Sequence, residues 1–526
     1  MKTKILTLSL VLFASVCLWA QTSGTCGPNL TWSLNNGVLT ISGTGPMDDY
    51  DNIRSLATSS PWISQCGSII SINIGQGVIS IGNGAFEGCN NLTTVSIGNS
   101  IERIGFCAFH SCFNLSTLSL PNGLIEIGSQ AFFNCSSLST INIPESVTTI
   151  GPSAFEGCNN LPIENNIRYA DKYLVGATNL GQNTYTIRAN TKFIGSGAFS
   201  NCSNMVSISI PNSVIEIGVG AFSGCSKLTS ITIPSGVTSV NRNLFYNCTQ
   251  LNSINLPNSV TNIGDWAFSG CRSLSSIVIP NNVTSIGSNA FTECRGLTSI
   301  IIPENVNYIN SQAFKDCKGL CSIQLPSGVN YIGSGAFEGC NHLTNLTIPD
   351  SLTYIDEFLF YNCTLLDTII IPNGITNIGE KAFAGCTGLR KVHLGENIQN
   401  IGVSAFYNCT GLTSIINYRR TPCNASNNAF EGVDKFACTL YVPTGSEDMY
   451  RVANVWRDFY SIQGFEGGTA IVNILQDTLI SELLANPATR IYTIQGYEVT
   501  ASRDNLPVGN YILLLGNQST KVTINK

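Results

Sequence analysis

Residues 286–303 read IGSNAFTECRGLTSIIIP, and variants of this stretch recur every 23 residues along most of the chain. At its centre a phenylalanine is followed three places later by a cysteine, as at Phe291 and Cys294. Fourteen such pairs occur in register, and a fifteenth phenylalanine, Phe430, is followed instead by Val433. A fixed period in the twenties indicates a solenoid, in which each coil buries its apolar face only against its neighbours.

One coil is predicted to have three sides. The run Leu297-x-x-Ile300-x-Ile302 ends in a period of two, which predicts a short strand, and Pro303 ends that strand because proline cannot donate to a continuing ladder. A second apolar pair a few residues later predicts a shorter extended segment. In the Ala-Phe-x-x-Cys segment the cysteine follows one helical turn after the phenylalanine, which predicts a single helical or 3₁₀ turn.

The full repeat, Ile-Gly-x-x-Ala-Phe-x-x-Cys-x-x-Leu-x-x-Ile-x-Ile-Pro, resembles a leucine-rich repeat of the BspA-like class. The resemblance covers about residues 76–435 and implies an α/β-type, curved leucine-rich-repeat solenoid. Residues 25–32 with 39–45 resemble the N-terminal cap of that family, and residues 441–443 with 456–462 resemble its C-terminal cap. Such caps cover the apolar cross-section that a solenoid otherwise exposes at each end.

One coil departs from the pattern. The 44-residue gap between Phe155 and Phe199 holds a coil without the Phe/Cys pair, and strands at 169–175 and 183–188 predict a hairpin-like excursion there. This excursion is either a tolerated insertion or a protruding contact. The predicted segments are a signal peptide at 1–20, an N-terminal cap at 21–75, the solenoid at 76–435 with its irregular coil at 159–194, a C-terminal cap at 436–467 and a β-rich module at 468–526.

The first twenty residues predict export. Lys2 and Lys4 precede an apolar run over residues 5–18, which is too short to span a bilayer and is typical of a cleaved signal peptide. Lipidation at Cys17 is the alternative route of processing. We therefore expect the protein at the cell surface (the outer membrane) or outside the cell, with no transmembrane helix.

The last sixty residues contain neither cysteine nor phenylalanine and form a separate module. Strands are predicted at 491–494, 498–500, 511–515 and 521–524. The segments IYTIQG (491–496) and LPVGNYI (506–512) resemble the C-terminal sorting domain of the type IX secretion system of Bacteroidetes. The resemblance implies an address or anchor that the secretion machinery recognises.

Most of the 21 cysteines follow the repeat. Neighbouring coils stack about 4.8 Å apart, which is within disulfide range, but parallel Cβ vectors do not give the dihedral angle that a disulfide needs. A buried ladder of free thiols, acting as small hydrophobes, is therefore predicted for Cys89, Cys112, Cys135, Cys158, Cys202, Cys225, Cys248, Cys271, Cys294, Cys317, Cys340, Cys363, Cys386 and Cys409. Off the ladder, Cys26 with Cys66 and Cys423 with Cys438 are candidate disulfides.

Composition argues against several function classes. The net charge is −6, the pI is about 5.2 and only 11% of residues are charged, so no basic stripe is available for nucleic acid. His110 and His342 lie about ten coils apart, and His393 is predicted to face solvent beside Lys391. No catalytic, metal-binding or phosphate-binding motif occurs. We expect no enzymatic activity, no metal and no cofactor.

The predicted working surface is the concave strand face, where two outward columns flank the central isoleucine of each strand. The first column is rich in Ser and Thr, and the second contains the neighbouring apolar residues Val278 and Ile301, a pattern that often marks a contact. The candidate binding residues are Ser253, Asn255, Ser276, Val278, Ser299, Ile301, Gln324, Ile370, Lys391 and His393.

A broad face of low charge favours a macromolecular partner over a small substrate, which needs a deep pocket. The first hypothesis is an adhesin-like surface or secreted protein that binds host or microbial macromolecules; the BspA-like resemblance implies adhesion, including adhesion to matrix proteins. The alternative is a glycan-binding component of a surface uptake system, for which aromatic residues are expected on the two columns, and none occurs there. An enzyme, the third hypothesis, needs carboxylates or histidines clustered within one or two coils.

Overall fold

The computed structural model describes residues 22–51, 59–465, 490–493, 509–515 and 518–524. Within these residues the chain forms the predicted solenoid, with about 17 coils of about 23 residues. The chain divides into two compact units, residues 1–222 and 223–526. The predicted signal peptide lies outside the described residues.

Most coils contribute one strand, here called the main strand, from the Leu-x-x-Ile-x-Ile run. Where main strands of neighbouring coils pair, they pair in parallel, and in most pairs each residue lies opposite its equivalent 23 positions later, as for Ser299 and Ser322. In the first unit they are Ser71–Ile74, Thr94–Ile97, Thr117–Ser119, Thr140–Asn142, Thr184–Thr186 and Ser207–Ser209. In the second unit they are Ser230–Thr232, Ser253–Asn255, Ser299–Ile301, Ser322–Gln324, Thr368–Ile371, Lys391–Leu394, Ser414–Asn417, Thr439–Pro443 and Ser461–Phe465.

The shorter extended segment also forms strands, here called second strands, which pair in parallel along another side of the coils. In the first unit they are Gly45–Pro46, Val78–Ile81, Arg103–Ile104, Glu126–Ile127, Thr149–Ile150, Tyr173–Ala177, Phe193–Ile194 and Glu216–Ile217. In the second unit they are Ser239–Val240, Asn262–Ile263, Ser285–Ile286, Tyr308–Ile309, Tyr331–Ile332, Tyr354–Ile355, Asn377–Ile378, Asn400–Ile401 and Asn424–Ala425.

The predicted helical turn is wrong. In the Ala-Phe-x-x-Cys segment the amides of Phe86 and Gly88 donate to the next coil, whereas only the alternate amides bond within their own coil. Gly84 and Gly88 adopt left-handed backbone angles, and the same two places are left-handed in other coils. Two such residues four positions apart interrupt any helix. The helices of the described residues are the 3₁₀ helices Ile63–Ser68 and Trp456–Asp458 and the α-helix Glu447–Val452.

A stack of phenylalanine rings fills the core of each unit. Rings of successive coils lie 5.1 to 5.7 Å apart and many are nearly parallel, as for Phe291 and Phe314 (5.3 Å, 1°). In the first unit the stack ends on Trp62, whose indole N–H donates to the Ala85 carbonyl at 2.8 Å. In the second unit it ends on Trp456, 5.5 Å from the Phe430 ring.

The ladder cysteines lie in this core as predicted, but the prediction of a free thiol is wrong for Cys89, which forms a disulfide with Cys66. Ladder thiols also act as hydrogen-bond donors. The thiol of Cys294 donates to the carbonyl of Phe268 in the preceding coil at 3.2 Å, and Cys317 donates likewise to Phe291 at 3.0 Å. The Phe268 carbonyl also accepts the Cys271 amide of its own coil. A buried carbonyl has two lone pairs, and the thiol satisfies the second one.

The predicted disulfides differ from the observed one. Cys66 is bonded to Cys89, and Cys26, Cys423 and Cys438 are free thiols. Cys66 stands 23 residues before Cys89, so it occupies the preceding ladder place. It lies on the 3₁₀ helix that replaces the regular turn, where the parallel geometry of the other ladder thiols does not apply. Cys423 and Cys438 precede a second strand and a main strand respectively, so they stand on different sides of the coil.

The irregular coil contains a hairpin, though with other strands than predicted. Ile167–Ala170 pairs antiparallel with Tyr173–Ala177, and the short strand Ile163–Glu164 joins its outer edge. The predicted second half at 183–188 instead contains a main strand, Thr184–Thr186. The rings of Tyr173 and Tyr185 lie 5.2 and 5.1 Å from Phe155 and Phe199 respectively, so tyrosines replace the missing phenylalanine.

Antiparallel strands occur near the two termini of the chain. Ser23–Gly27, Leu30–Asn35 and Val38–Gly43 form an antiparallel sheet, and the last of them pairs in parallel with the first main strand. In the tail, Arg490–Thr493, Gly509–Leu515 and Gln518–Ile524 form an antiparallel sheet. The strand predicted at 498–500 lies outside the described residues.

The ladder predicts a specific pattern of thiol reactivity. Burial raises the pKa of Cys363 and of Cys409 to about 12, whereas Cys321 is the exposed free thiol among the described residues. With iodoacetamide at pH 8, mass spectrometry should find Cys321 alkylated and the ladder unmodified until denaturant is added. Cys321→Ser should remove the native label from this part of the chain. Native labelling of ladder thiols as fast as Cys321 would contradict the arrangement.

Gly287, in the Ile-Gly motif of its coil, is predicted to allow a close approach to the preceding coil. A Cβ on Gly287 would lie 2.5 Å from the Asp265 nitrogen and from the Gly264 carbonyl carbon, both backbone atoms of the preceding coil. Gly287→Ala should therefore cost roughly 1–3 kcal/mol, read as a lower urea midpoint. Gly67→Ala is the control, because nothing lies within 4 Å of its Cβ position. Equal midpoints for the two variants would disprove the spacing argument.

Candidate functional site

The main strand face presents two straight columns of side chains. In the strand Ser299–Ile301 the two outer residues are exposed and Ile300 is buried, as the alternation of a strand requires. Ser299 pairs with Ser322 and Ile301 with Gln324 in the next coil, so equivalent residues stand side by side. The face is therefore a grid whose rows are coils and whose columns are repeat positions.

The predicted binding residues all lie on this face of the second unit. Eight of the ten have exposed side chains, and two do not. Ile370 is half-buried and His393 is buried. The exposed ones are Ser253, Asn255, Ser276, Val278, Ser299, Ile301, Gln324 and Lys391.

The apolar pair on the face is strongly exposed. Val278 is 83% exposed and Ile301 is 71% exposed, although the residues before them, Ile277 and Ile300, are buried. Ile301 ends the strand Ser299–Ile301, whereas the equivalent residues 276–278 form no strand. The same column is polar in the adjoining coils, at Asn255 and Gln324. Two aliphatic side chains thus stand in water on a surface of hydroxyl and amide groups.

His393 was predicted to face solvent, and this prediction is wrong. Its side chain is only 5% exposed, because Ile370 and Ile416 flank it in the paired strands and the Tyr418 ring covers it. The ring nitrogen Nδ1 lies 3.1 Å from the Tyr418 hydroxyl. The Phe465 ring packs nearly perpendicular to the Tyr418 ring, with ring centroids 5.4 Å apart. His393 therefore belongs to a small closed cluster and is not available to a partner.

No group of three or more His, Cys, Asp or Glu side chains in the described ranges is placed to hold a metal ion. His110 stacks on Phe133 and lies 3.6 Å from Glu87. The absence of enzymatic activity stays a prediction. No helix in the described part of the chain is long and apolar enough to cross a membrane.

The second strand face carries a feature that the sequence analysis missed. Tyr308, Tyr331 and Tyr354 occupy the same place in three successive second strands, and a depression lies beside Tyr354. Their 23-residue spacing is visible in the sequence.

Comparison with known proteins identifies the repeat. The family model for the BspA type leucine rich repeat region, in six copies, matches residues 62–174, 192–321 and 319–436. No curated protein matches the chain.

Solved structures of bacterial leucine-rich repeat proteins also match. One from Bacteroides ovatus is 26% identical, covering 70% of this chain and 94% of that one, with a TM-score of 0.37. One from Eubacterium ventriosum is 29% identical, covering 62% and 97%, with a TM-score of 0.35. A leucine rich cell surface protein from Faecalibacterium prausnitzii is 27% identical, covering 76% and 95%, with a TM-score of 0.33.

Burial of His393 predicts an acid-sensitive stability. Burial, and next the positive charge of Lys391, lowers the pKa of His393 from 6.5 to about 4. Between these values the unfolded chain binds a proton that the folded chain does not, so stability falls as the pH drops from about 6.5 to about 4. The loss attributable to this residue should be on the order of 1–3 kcal/mol.

The measurement is the urea midpoint at pH 7 and at pH 4.5. His393→Gln should reduce the difference between the two midpoints, because glutamine does not titrate. His342→Gln, which changes an exposed histidine of the same unit, is the control and should leave the difference unchanged. An unchanged difference in His393→Gln would show that other groups cause the acid sensitivity.

Proposed function

Because the chain belongs to the BspA type leucine rich repeat family, whose model matches more than half of it, we propose that it is a surface-exposed or secreted protein that binds host or microbial macromolecules in an adhesin-like role. The binding surface is the main strand face of the second unit. The observation that carries the proposal is the pair Val278 and Ile301, which are 83% and 71% exposed in adjoining coils. Burial of these side chains by a partner releases ordered water and stabilises a complex.

The surroundings of the pair favour a protein partner. Binding interfaces combine an apolar centre with a polar rim, and here the hydroxyl and amide groups of Ser276, Ser299 and Gln324 supply that rim. Repeat solenoids present extended surfaces of this kind, which engage broad partners. Because this face carries little charge, shape complementarity and hydrogen bonding determine which partner it binds.

Export is part of the same proposal. The N-terminal apolar run delivers the chain through the inner membrane, and the C-terminal module, similar to a type IX sorting domain, serves as address or anchor. Three antiparallel strands in the tail, Arg490–Thr493, Gly509–Leu515 and Gln518–Ile524, support a separate β-module there. Surface labelling of intact cells, with and without residues 468–526, tests this assignment.

The test of binding uses the full chain against a panel of matrix proteins and host cell-surface proteins. Val278→Asp with Ile301→Asp should lower affinity for a bound protein at least about tenfold, because each carboxylate must lose its hydration to enter the interface. Val403→Asp is the matched control, since Val403 is an exposed valine outside the strands of the same unit. Unchanged affinity of the double variant for each partner would remove this surface from consideration.

A further inference from the structure

Three tyrosines form a column on the second strand face of the second unit. Tyr308, Tyr331 and Tyr354 each begin a second strand, and the isoleucine after each is buried. Strand alternation therefore points the three phenol rings away from the core. Tyr308 is 50% exposed and Tyr354 is 39% exposed, with Tyr331 half-buried between them. We call this set the tyrosine column.

The rings of the column are close enough to act together. Tyr308 and Tyr331 are directly opposed in paired strands, and the ring centroids of Tyr331 and Tyr354 are 6.5 Å apart. Strand pairing fixes the backbones of Tyr308 and Tyr331 side by side, and the strand of Tyr354 begins the next sheet, where it pairs with the strand of Asn377. The column is an aromatic strip along three successive coils.

Uncharged hydrogen-bonding groups border the strip. Asn307, Asn330 and Thr353 precede the three tyrosines in the chain. Beyond Tyr354 the column continues as Asn377 and Asn400, whose amides are joined by a hydrogen bond of 2.8 Å from Asn400 Nδ2 to Asn377 Oδ1. Amides both donate and accept, so this border can satisfy ligand hydroxyls in either role.

A depression of about 500 Å³ lies where the aromatic and amide parts meet. This volume falls within the range of roughly 300–1,000 Å³ that is typical of ligand sites. Asp356 occupies the place that glycine holds in the adjoining coils, so a carboxylate replaces a bare backbone there. The lining consists of Thr353, Tyr354, Ile355, Asp356, Glu357, Thr376, Asn377 and Gly379.

We propose that the tyrosine column and the depression beside Tyr354 bind a neutral oligosaccharide. The negative face of an aromatic ring attracts the weakly positive C–H groups on one side of a sugar ring. The amides and hydroxyls of Asn377, Thr376 and Thr353 meet the equatorial hydroxyls, and Asp356 accepts from hydroxyl donors. A chain of sugars can lie along the strip and contact successive tyrosines.

The same groups disfavour other occupants. Asp356 and Glu357 repel polyanions, which excludes nucleic acids and sulfated glycans from this end of the column. An amphipathic helix needs an aliphatic groove, whereas the outward places of these second strands are tyrosine and asparagine. The site lies on a different face from Val278 and Ile301. An experiment that rejects one of the two sites therefore does not reject the other.

The experiment screens the full chain on an array of neutral gluco-, manno-, galacto- and xylo-oligosaccharides and measures the best binder by calorimetry. Tyr354→Ala should weaken binding at least about tenfold, and Tyr308→Ala should weaken it for longer chains, because each removes one stacking face. Tyr354→Phe keeps that face and should retain most of the affinity. Tyr407→Ala, a half-exposed tyrosine outside the column, is the matched control and should bind normally.

Three results would overturn the proposal. One is that no neutral oligosaccharide on the array binds. Another is equal loss of affinity in Tyr354→Ala and Tyr407→Ala. The third is binding confined to charged glycans or to basic peptides. Val278→Asp with Ile301→Asp should leave glycan binding unchanged, so a failure here is separate from a failure of the protein-binding surface. Circular dichroism and thermal midpoints establish that the tyrosine variants keep the fold.

Discussion

The structure depends on the close approach of consecutive coils at the turn around each phenylalanine. There the amides alternate, one donating within its coil and the next donating to the following coil, as at Cys89 and Gly88. Most ladder thiols add a donor to the phenylalanine carbonyl of the coil before them, as Cys112 does to Phe86 at 3.2 Å. Each coil thus completes the hydrogen bonds of its neighbour, so a single repeat cannot fold alone. The close approach of the coils also leaves no room for a Cβ at Gly287.

This shared bonding turns sequence position into spatial position. Residues 23 apart stand side by side, so similar residues at the same repeat position form a column that runs along several coils. Val278 and Ile301 form one such column segment, and Tyr308, Tyr331 and Tyr354 form another. Partner recognition can therefore change by substitution on the outward places without any change in the buried ones.

The period and the main strands followed from the sequence, because strand alternation and the proline after Ile302 are local signals. The turn did not, because its left-handed places hold Trp266 and Phe358 as well as glycine and asparagine, and such residues give no sign of that geometry. The exposure of Val278 and Ile301 could be predicted from the strand pattern alone. The burial of His393 could not, because the covering Tyr418 ring comes from the next coil.

The two tryptophans at the ends of the ring stacks have a consequence for assembly. A stack that ended on an open phenylalanine would present the same surface that each coil offers to the next, and a second molecule could continue it in the same direction. Such a head-to-tail contact does not close on itself and leads to fibres. Trp62 and Trp456, each with its indole N–H bonded to a carbonyl of a neighbouring coil, terminate the pattern chemically. Each tryptophan therefore gives the end of its stack a surface that differs from the one a coil offers to the next.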